Sequence, residues 1–428
     1  MLFSENEFDD TGFTAAISRL LDQEGESAPS APAATSLTSH PRRTPDAANI
    51  VILGGGAGGV VAAHKLRNLL GSGHRITVVD RSPDHLFQSS LLWLMAGDRR
   101  PDQIRRPLDR LTRKGIEFVS DKVLEIDLGG RLVRTRGAQL AFDYLIVALG
   151  SRTVPESVEG FAEMAHDLYS LDGCRNIREA LSNFTGGKIG VVVTSMPFKC
   201  PAAPYEAALL VESLLRKKGV RDRSEVHVYT PEHQPMPVAE ASLGKALEAI
   251  LDERGIHYHP LFTFEKMRPE TREILAAGGE AEQVDLVLAV PPHQVPDVVR
   301  SSGLLGVSGW IHVDPETLRT EYEGVFAIGD VTTIRLPNGK SLPKAGVFAH
   351  HQAEVVAHQI ADRLRGRESH ATFDGRGSCW IEVGDGRAAF ASGGFYDEPE
   401  PGIRMAGPGR RWHWGKVAFE KWWLRRWF

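Results

Sequence analysis

Cysteine is scarce. Three occur in 428 residues, Cys174, Cys200 and Cys379, too few and too scattered for a disulfide scaffold. None stands in a Cys-x-x-Cys pair of the kind that holds zinc, so no metal site is expected. An excess of positive charge is missing too: 50 lysines and arginines against 55 acids give a net charge of −5, which removes any general attraction to nucleic acid. No run of about 20 apolar residues exists, so no helix is expected to span a bilayer. The acidic opening, Met1 to Asp10, lacks the basic-then-apolar pattern of a secretory signal. What remains is an ordinary globular composition, 42% hydrophobic and 25% charged, with enough chain for two or three cores.

Residues 1–47 read as an appendage, with a short amphipathic helix over Thr14 to Asp22 and then a Ser/Ala/Pro-rich linker too poor in apolar side chains to order itself. At Asn49 the pattern changes. Asn49-Ile-Val-Ile-Leu53 is a buried-strand run, Gly54-Gly-Gly-Ala-Gly-Gly59 follows, and Val60 to Leu66 is helical. The spacing Gly54, Gly56, Gly59 suits a dinucleotide: a tight turn, close approach of a pyrophosphate, and close packing of helix on strand. A second strand, Arg75 to Asp80, ends in a carboxylate 21 residues after Gly59, where an acceptor for ribose hydroxyls belongs. A later strand, Phe142 to Gly150, leaves this unit. The unit resumes at Glu323-Gly-Val-Phe-Ala-Ile-Gly-Asp-Val331, which delivers Asp330, and Lys344-Ala-Gly346 opens another helix.

Between these halves lies a second α/β unit, with strands at Ile189–Val193, Glu225–Tyr229 and Val284–Val290. It is organised around Thr194-Ser-Met-Pro-Phe-Lys-Cys-Pro-Ala-Ala-Pro-Tyr-Glu206, a strand-to-helix turn of the sort that holds ligands in α/β proteins. Here the turn carries Cys200 in place of glycines. The dipole of the following helix (expected over Ala207 to Arg216) and the Lys199 ammonium both favour a thiolate. Pro201 and Pro204 suit a first helical turn. A lone cysteine is more often buried and inert, but the prolines, the lysine and the placement favour a reactive one. Glu206 is a candidate proton acceptor and, equally, an ordinary first-turn glutamate. The fold class is α/β with two Rossmann-like dinucleotide-binding domains. The first comprises residues 48–152 and 301–375, the second residues 153–300, and 376–428 form a C-terminal region.

The tail from Arg410 to Phe428 concentrates Trp412, Trp414, Trp422, Trp423 and Trp427 with six basic residues and one acid. Aromatic rings at headgroup depth with Lys/Arg toward phosphates is the composition of an interfacial segment. As one straight helix its apolar face is not clean, because Trp423 projects opposite Trp414; a break near Gly415 is one way to reconcile that. The competing reading is a helix packed on its own domain. The interfacial reading makes the tail separable, so that its removal frees the protein from the membrane while the cofactor stays bound.

The order of these motifs resembles the two-dinucleotide-domain flavoproteins, the pyridine nucleotide-disulfide oxidoreductases with their glutathione-reductase-like fold. The resemblance rests on GGGAGG, YLIVALG and VFAIGDV. Within that superfamily the chain is similar to the sulfide:quinone oxidoreductase family, through Phe198-Lys-Cys-Pro-Ala-Ala-Pro-Tyr-Glu206, Pro343-Lys-Ala-Gly-Val-Phe348, Cys379-Trp-Ile-Glu-Val-Gly-Asp-Gly386 and Gly415-Lys-Val-Ala-Phe-Glu-Lys421. It covers the chain from about residue 48 onward.

The resemblance implies bound FAD, with Asp330 on the ribityl chain, the backbone near Val123 at the adenine, and Lys344 near the flavin pyrimidine. Leu86-Phe-Gln-Ser-Ser-Leu91 has no cysteine where cytochrome-linked relatives attach flavin, so the FAD is expected to be non-covalent. It further implies a Cys200/Cys379 redox pair. Hydrosulfide attacks it, a persulfide stays on Cys200, and Cys379 passes two electrons to the flavin and on to quinone, or the two cysteines take the reverse roles. Cys174 is expected to be structural. The implied partners are hydrogen sulfide, a quinone and a membrane surface, with a monotopic protein on the cytoplasmic face; a homo-oligomer is compatible with the sequence. A type II NADH:quinone dehydrogenase should show a second glycine fingerprint after Val193, which is missing. A flavocytochrome-type sulfide dehydrogenase needs a haem partner, and no CxxCH motif occurs here. A non-catalytic flavin scaffold is the third reading.

Overall fold

The computed structural model describes residues 47–428; the helix expected over Thr14 to Asp22 lies outside them. Two five-stranded parallel sheets form the frame. In the first, the spatial order is Val325–Ala327, Tyr144–Val147, Asn49–Leu53, Arg75–Asp80 and Glu117–Ser120. In the second it is Ala165–Asp167, Leu286–Val290, Gly187–Val193, Ser224–Tyr229 and Ile256–His259. The valine- and isoleucine-rich strand interiors are buried because helices and neighbouring strands cover both faces of each sheet. In each sheet the central strand, Asn49–Leu53 or Gly187–Val193, is the one that leads into the glycine turn or the cysteine turn. The strand order reverses beside it, and the crevice beyond the carboxyl ends at such a reversal is where α/β sheets place ligands.

Helices run slightly longer than the periodicity predicts. The one after the glycines spans Ala57–Leu70 and packs on Gly346–Leu364, while the cysteine helix spans Ala203–Lys217 with Pro204 in its first turn. The helix starts four residues before the expected Ala207 because a proline is tolerated where no intrahelical N–H is needed.

The last segment does more than append. Arg376–Glu382, Ala388–Gly394 and Arg404–Gly409 make an antiparallel sheet, with Cys379 opposite Ala391. Cys379 packs against the cores of both units, so this sheet lies over their junction. The C-terminal helix, Arg410–Arg426, is continuous through Gly415, so a break there is not what reconciles its two faces. Trp423 and Trp427 are only 3% and 2% exposed, buried in the core of the first unit, while Trp414 is 50% exposed. The opposition of Trp423 and Trp414 read from the sequence is real, and its resolution is inward: one face of the helix is core. Glu420 is buried with them, accepting from Ser90 Oγ at 2.5 Å and from Arg99 at 2.8 Å. Among the described residues no helix is long and apolar enough to cross a membrane.

Candidate active site

The glycine turn is tight on its protein side and open in front. Gly54 sits at φ +107°, and a Cβ there would meet the Ala148 carbonyl oxygen at 2.3 Å; a Cβ on Gly59 would meet the Gly54 carbonyl oxygen at 1.8 Å. At Gly56 nothing lies within 4 Å of a Cβ. Gly56 caps the helix Ala57–Leu70 without a side-chain hydrogen bond, and no acid occupies the first turn. The helix N-terminus therefore presents its N–H groups to whatever fills that space, an arrangement suited to a pyrophosphate. Asp80, at the end of its strand, accepts the Gly55 N–H at 2.6 Å and the Ser82 N–H at 2.8 Å, which fixes its carboxylate beside the turn. Val123 opens the strand Val123–Asp127, two residues past Asp121, whose N–H donates to the Asp80 carbonyl. Gly150 lies three residues past the strand Tyr144–Val147, at φ +63° with open space on its Cβ side. A dinucleotide cradle fits these residues.

Asp330 lies half-buried in the turn Gly329–Val331. The Lys344 ammonium holds that turn, donating to the Asp330 carbonyl at 2.9 Å and the Thr332 carbonyl at 2.7 Å and stacking 3.5 Å from the centroid of the Trp310 ring. Burial lowers its pKa to about 8. Lys344 is thus a brace for the turn that presents Asp330, with Gly346 the first residue of the next helix. Phe348 is buried edge-on to Phe373 and Phe395.

Cys200 is stitched to this half of the molecule. Its N–H donates to the Lys344 carbonyl at 2.7 Å, and Lys199 pairs with Lys344 as a parallel bridge. The residue is exposed and lies at φ +50°, a left-handed conformation that costs a non-glycine residue energy and collects at functional sites. Cys379 approaches from the antiparallel sheet. The two thiols act on each other electrostatically and share Glu206 and Lys416 as neighbours. The expected thiolate is not what the surroundings favour. Although Cys200 opens to solvent on one side, the protein packed around its thiol pushes the pKa up to about 12. Glu206 and Cys379 add to that, and Lys416 opposes it. Cys379 is likewise pushed up to about 12 by burial and Glu206. Lys199 and the Cys200 thiol act on one another as expected, but the cation that most opposes the rise is Lys416, which the sequence did not single out.

Lys416 comes from the C-terminal helix, is buried, and hydrogen-bonds the Glu206 carboxylate. Glu206 is buried as well, and burial raises its pKa to about 7 against the pull of Lys416. Glu382, buried on the cysteine strand three residues past Cys379, faces His413 Nδ1 at 2.9 Å. Trp93 closes the cluster, 4.9 Å from the Lys416 ammonium. Sequence reasoning placed Glu206 but missed Lys416, Glu382, His413 and Trp93; the signal for Lys416 was its place in the Gly415-Lys-Val-Ala-Phe-Glu-Lys421 motif. Cys174 is buried on the helix Leu171–Asn183, its thiol donating to the Leu168 carbonyl at 3.2 Å, and burial drives its pKa far upward.

The family model of the pyridine nucleotide-disulphide oxidoreductases matches residues 48–353, and the chain belongs to that family. Its cofactor is FAD, which accepts and returns electron pairs. The chain is 27% identical to the mitochondrial sulfide:quinone oxidoreductase of Mus musculus, over 82% of this chain and 79% of that one. It is 26% identical to the sulfide-quinone reductase of Aquifex aeolicus, over 88% and 90%. The X-ray structure of the sulfide:quinone oxidoreductase from Aquifex aeolicus superposes with a TM-score of 0.81 at 24% identity, covering 89% of this chain and 91% of that one, which establishes the shared fold.

Proposed function

We propose that the chain oxidises sulfide and passes the electrons through FAD to a quinone, with Cys200 and Cys379 as the redox pair. The observation that carries this is that two cysteines, 179 positions apart, share one buried carboxylate–ammonium pair, Glu206 and Lys416, as electrostatic neighbours. In the oxidised pair, hydrosulfide attacks the Cys200 sulfur and the bond to Cys379 breaks, leaving Cys200–S–SH and a Cys379 thiolate. Closing that persulfide onto the thiolate leaves one sulfur bridging the cysteines and releases a proton and two electrons. FAD, held by the glycine turn and Asp80, would supply the two-electron acceptor between the pair and the quinone. Glu206 takes the proton. Because the oxidised pair carries no free thiol, the nucleophile that starts the cycle is the incoming sulfide.

The test is an anaerobic titration of the purified yellow protein with sulfide and then with NADH. Sulfide should bleach the flavin within seconds and added quinone should restore it. NADH should do little, since Pro197, Lys199 and Pro201 occupy the turn where a nicotinamide nucleotide needs free backbone amides. Rapid bleaching by NADH with indifference to sulfide would sink the reading.

The proton step has its own signature. Glu206 accepts only when ionised, so flavin reduction should rise with pH through a limb near 7. The ionisation of the substrate adds a limb common to all variants. Glu206→Gln should lose the enzyme's limb and keep the substrate's, which comparison of the two pH profiles checks. Contact with a membrane surface is part of the same reading; its support is the outer face of the C-terminal helix, where Arg411, Trp414, Lys421 and Arg425 are exposed.

A further inference from the structure

Two buried polar groups beside Cys200 have no hydrogen-bond partner among the described residues. Lys199 is 8% exposed, and nothing accepts from its ammonium, which lies 5.8 Å from the centroid of the Tyr169 ring. His293 is 6% exposed; its Nδ1 lies 2.9 Å from the Pro291 carbonyl, and its Nε2 is buried and unpaired. Tyr169 joins the two, with His293 edge-on to its ring at 5.0 Å and its hydroxyl donating to the Cys200 carbonyl at 3.2 Å. Leaving a buried atom such as His293 Nε2 unpaired costs roughly 1–3 kcal/mol, and each such group in a native structure calls for an explanation, a bound ion or a catalytic role among them.

The nearby acids do not neutralise Lys199 by contact. Asp167 is engaged by the Thr153 hydroxyl and the Tyr169 N–H, both at 2.8 Å, and Asp330 acts only through space. On the other side of the cysteines the ammonium of Lys416 is already paired with Glu206. Of the two cations flanking the redox pair, Lys199 is the one with capacity for an anion. Met196 and Pro197, in the same loop, are exposed, so this side opens to solvent.

We infer that Lys199, with Tyr169 and His293 forming the wall, is the subsite where the hydrosulfide anion docks before it attacks Cys200. This rests on the function proposed above and deepens it: the substrate enters as an anion, held by the residue next to the sulfur it attacks. No bond forms or breaks at Lys199; it positions the anion.

The experiment is stopped-flow reduction of the FAD-loaded protein across a sulfide series, with the flavin midpoint potential measured in parallel. Lys199→Met should raise the sulfide concentration for half-maximal reduction about tenfold or more, the scale of a hydrogen bond to a charged group. The limiting rate should change far less and the potential should not move. Lys199→Arg should recover most of the loss, and thiocyanate, a competing anion, should inhibit the parent but not Lys199→Met. If Lys199→Met does not retain flavin, Lys199→Gln reads the same quantities. Unchanged half-saturation in the methionine or glutamine variant, with the parent normal, overturns this inference alone. So does a shifted flavin potential with unchanged half-saturation, which would assign the ammonium to the cofactor. A parent flavin that sulfide does not reduce overturns both this inference and the function it rests on.

Discussion

Serine in place of Cys200, or of Cys379, should give a protein that is still yellow and whose flavin sulfide no longer reduces. The glycine turn, Asp80 and the Asp330 turn make no use of either sulfur, so FAD should remain bound. The chemistry fails because serine cannot form the sulfur–sulfur bond that hydrosulfide attacks. Removing a covalent participant commonly costs a factor on the order of 10³ or more in rate. The loss should appear in the reductive half-reaction, with reoxidation of chemically reduced flavin by quinone unchanged. Cys174→Ser is the control and should keep activity, since that thiol only packs and donates to a backbone carbonyl. Sulfide-driven reduction at the parental rate in Cys379→Ser would remove the paired-cysteine mechanism.

Deleting residues 410–428 should have the opposite character: loss of the fold's integrity before loss of any surface property. The interfacial reading of the tail makes it separable from the flavin unit, and the packing contradicts that. Trp423, Leu424 and Trp427 are buried in the first core. Each is worth roughly 2 kcal/mol or more of apolar burial, and Glu206 loses the Lys416 partner that makes its buried charge tolerable. Together these losses approach the 5–15 kcal/mol that holds a typical domain folded. The truncated chain should aggregate or release FAD on gel filtration, and a soluble, fully flavinated product would refute the account. Surface contact is tested separately, by Trp414→Ser with Lys421→Glu and Arg425→Glu. All three side chains are exposed, so this variant should keep its flavin and bind anionic vesicles less well.

The flavin unit was legible because its signal is local. Strand, glycines, helix, strand and acid succeed one another within 32 residues, from Asn49 to Asp80, and each element constrains the next by backbone geometry. The cysteine site was half legible. Cys200 declared itself through the strand-to-helix turn, whereas the approach of Cys379 depends on a separate sheet, which no spacing encodes. The protonation state went wrong for a related reason: burial and a facing carboxylate dominate the thiols, and both are tertiary facts. The tail shows a degeneracy in the code. Tryptophan with arginine describes a lipid interface and, equally, a helix with one face in a core and the other in water. Lys416 was hidden by that degeneracy, one cation among six, until the fold placed it against Glu206.

The redox centre draws on both ends of synthesis. Cys200 leaves the ribosome 179 residues before Cys379 and 216 before Lys416. At translation speeds of about 5–20 residues per second, Glu206 and Cys200 wait on the order of 10–40 s for their last neighbour. By the end of that interval the glycine turn and every strand of both parallel sheets have been made, so flavin can be captured by a nascent chain that cannot yet turn over sulfide. The final helix works as a release check. A prematurely terminated product would be poorly packed, prone to lose its flavin and inert toward sulfide, exposing its unfinished core for quality control to find.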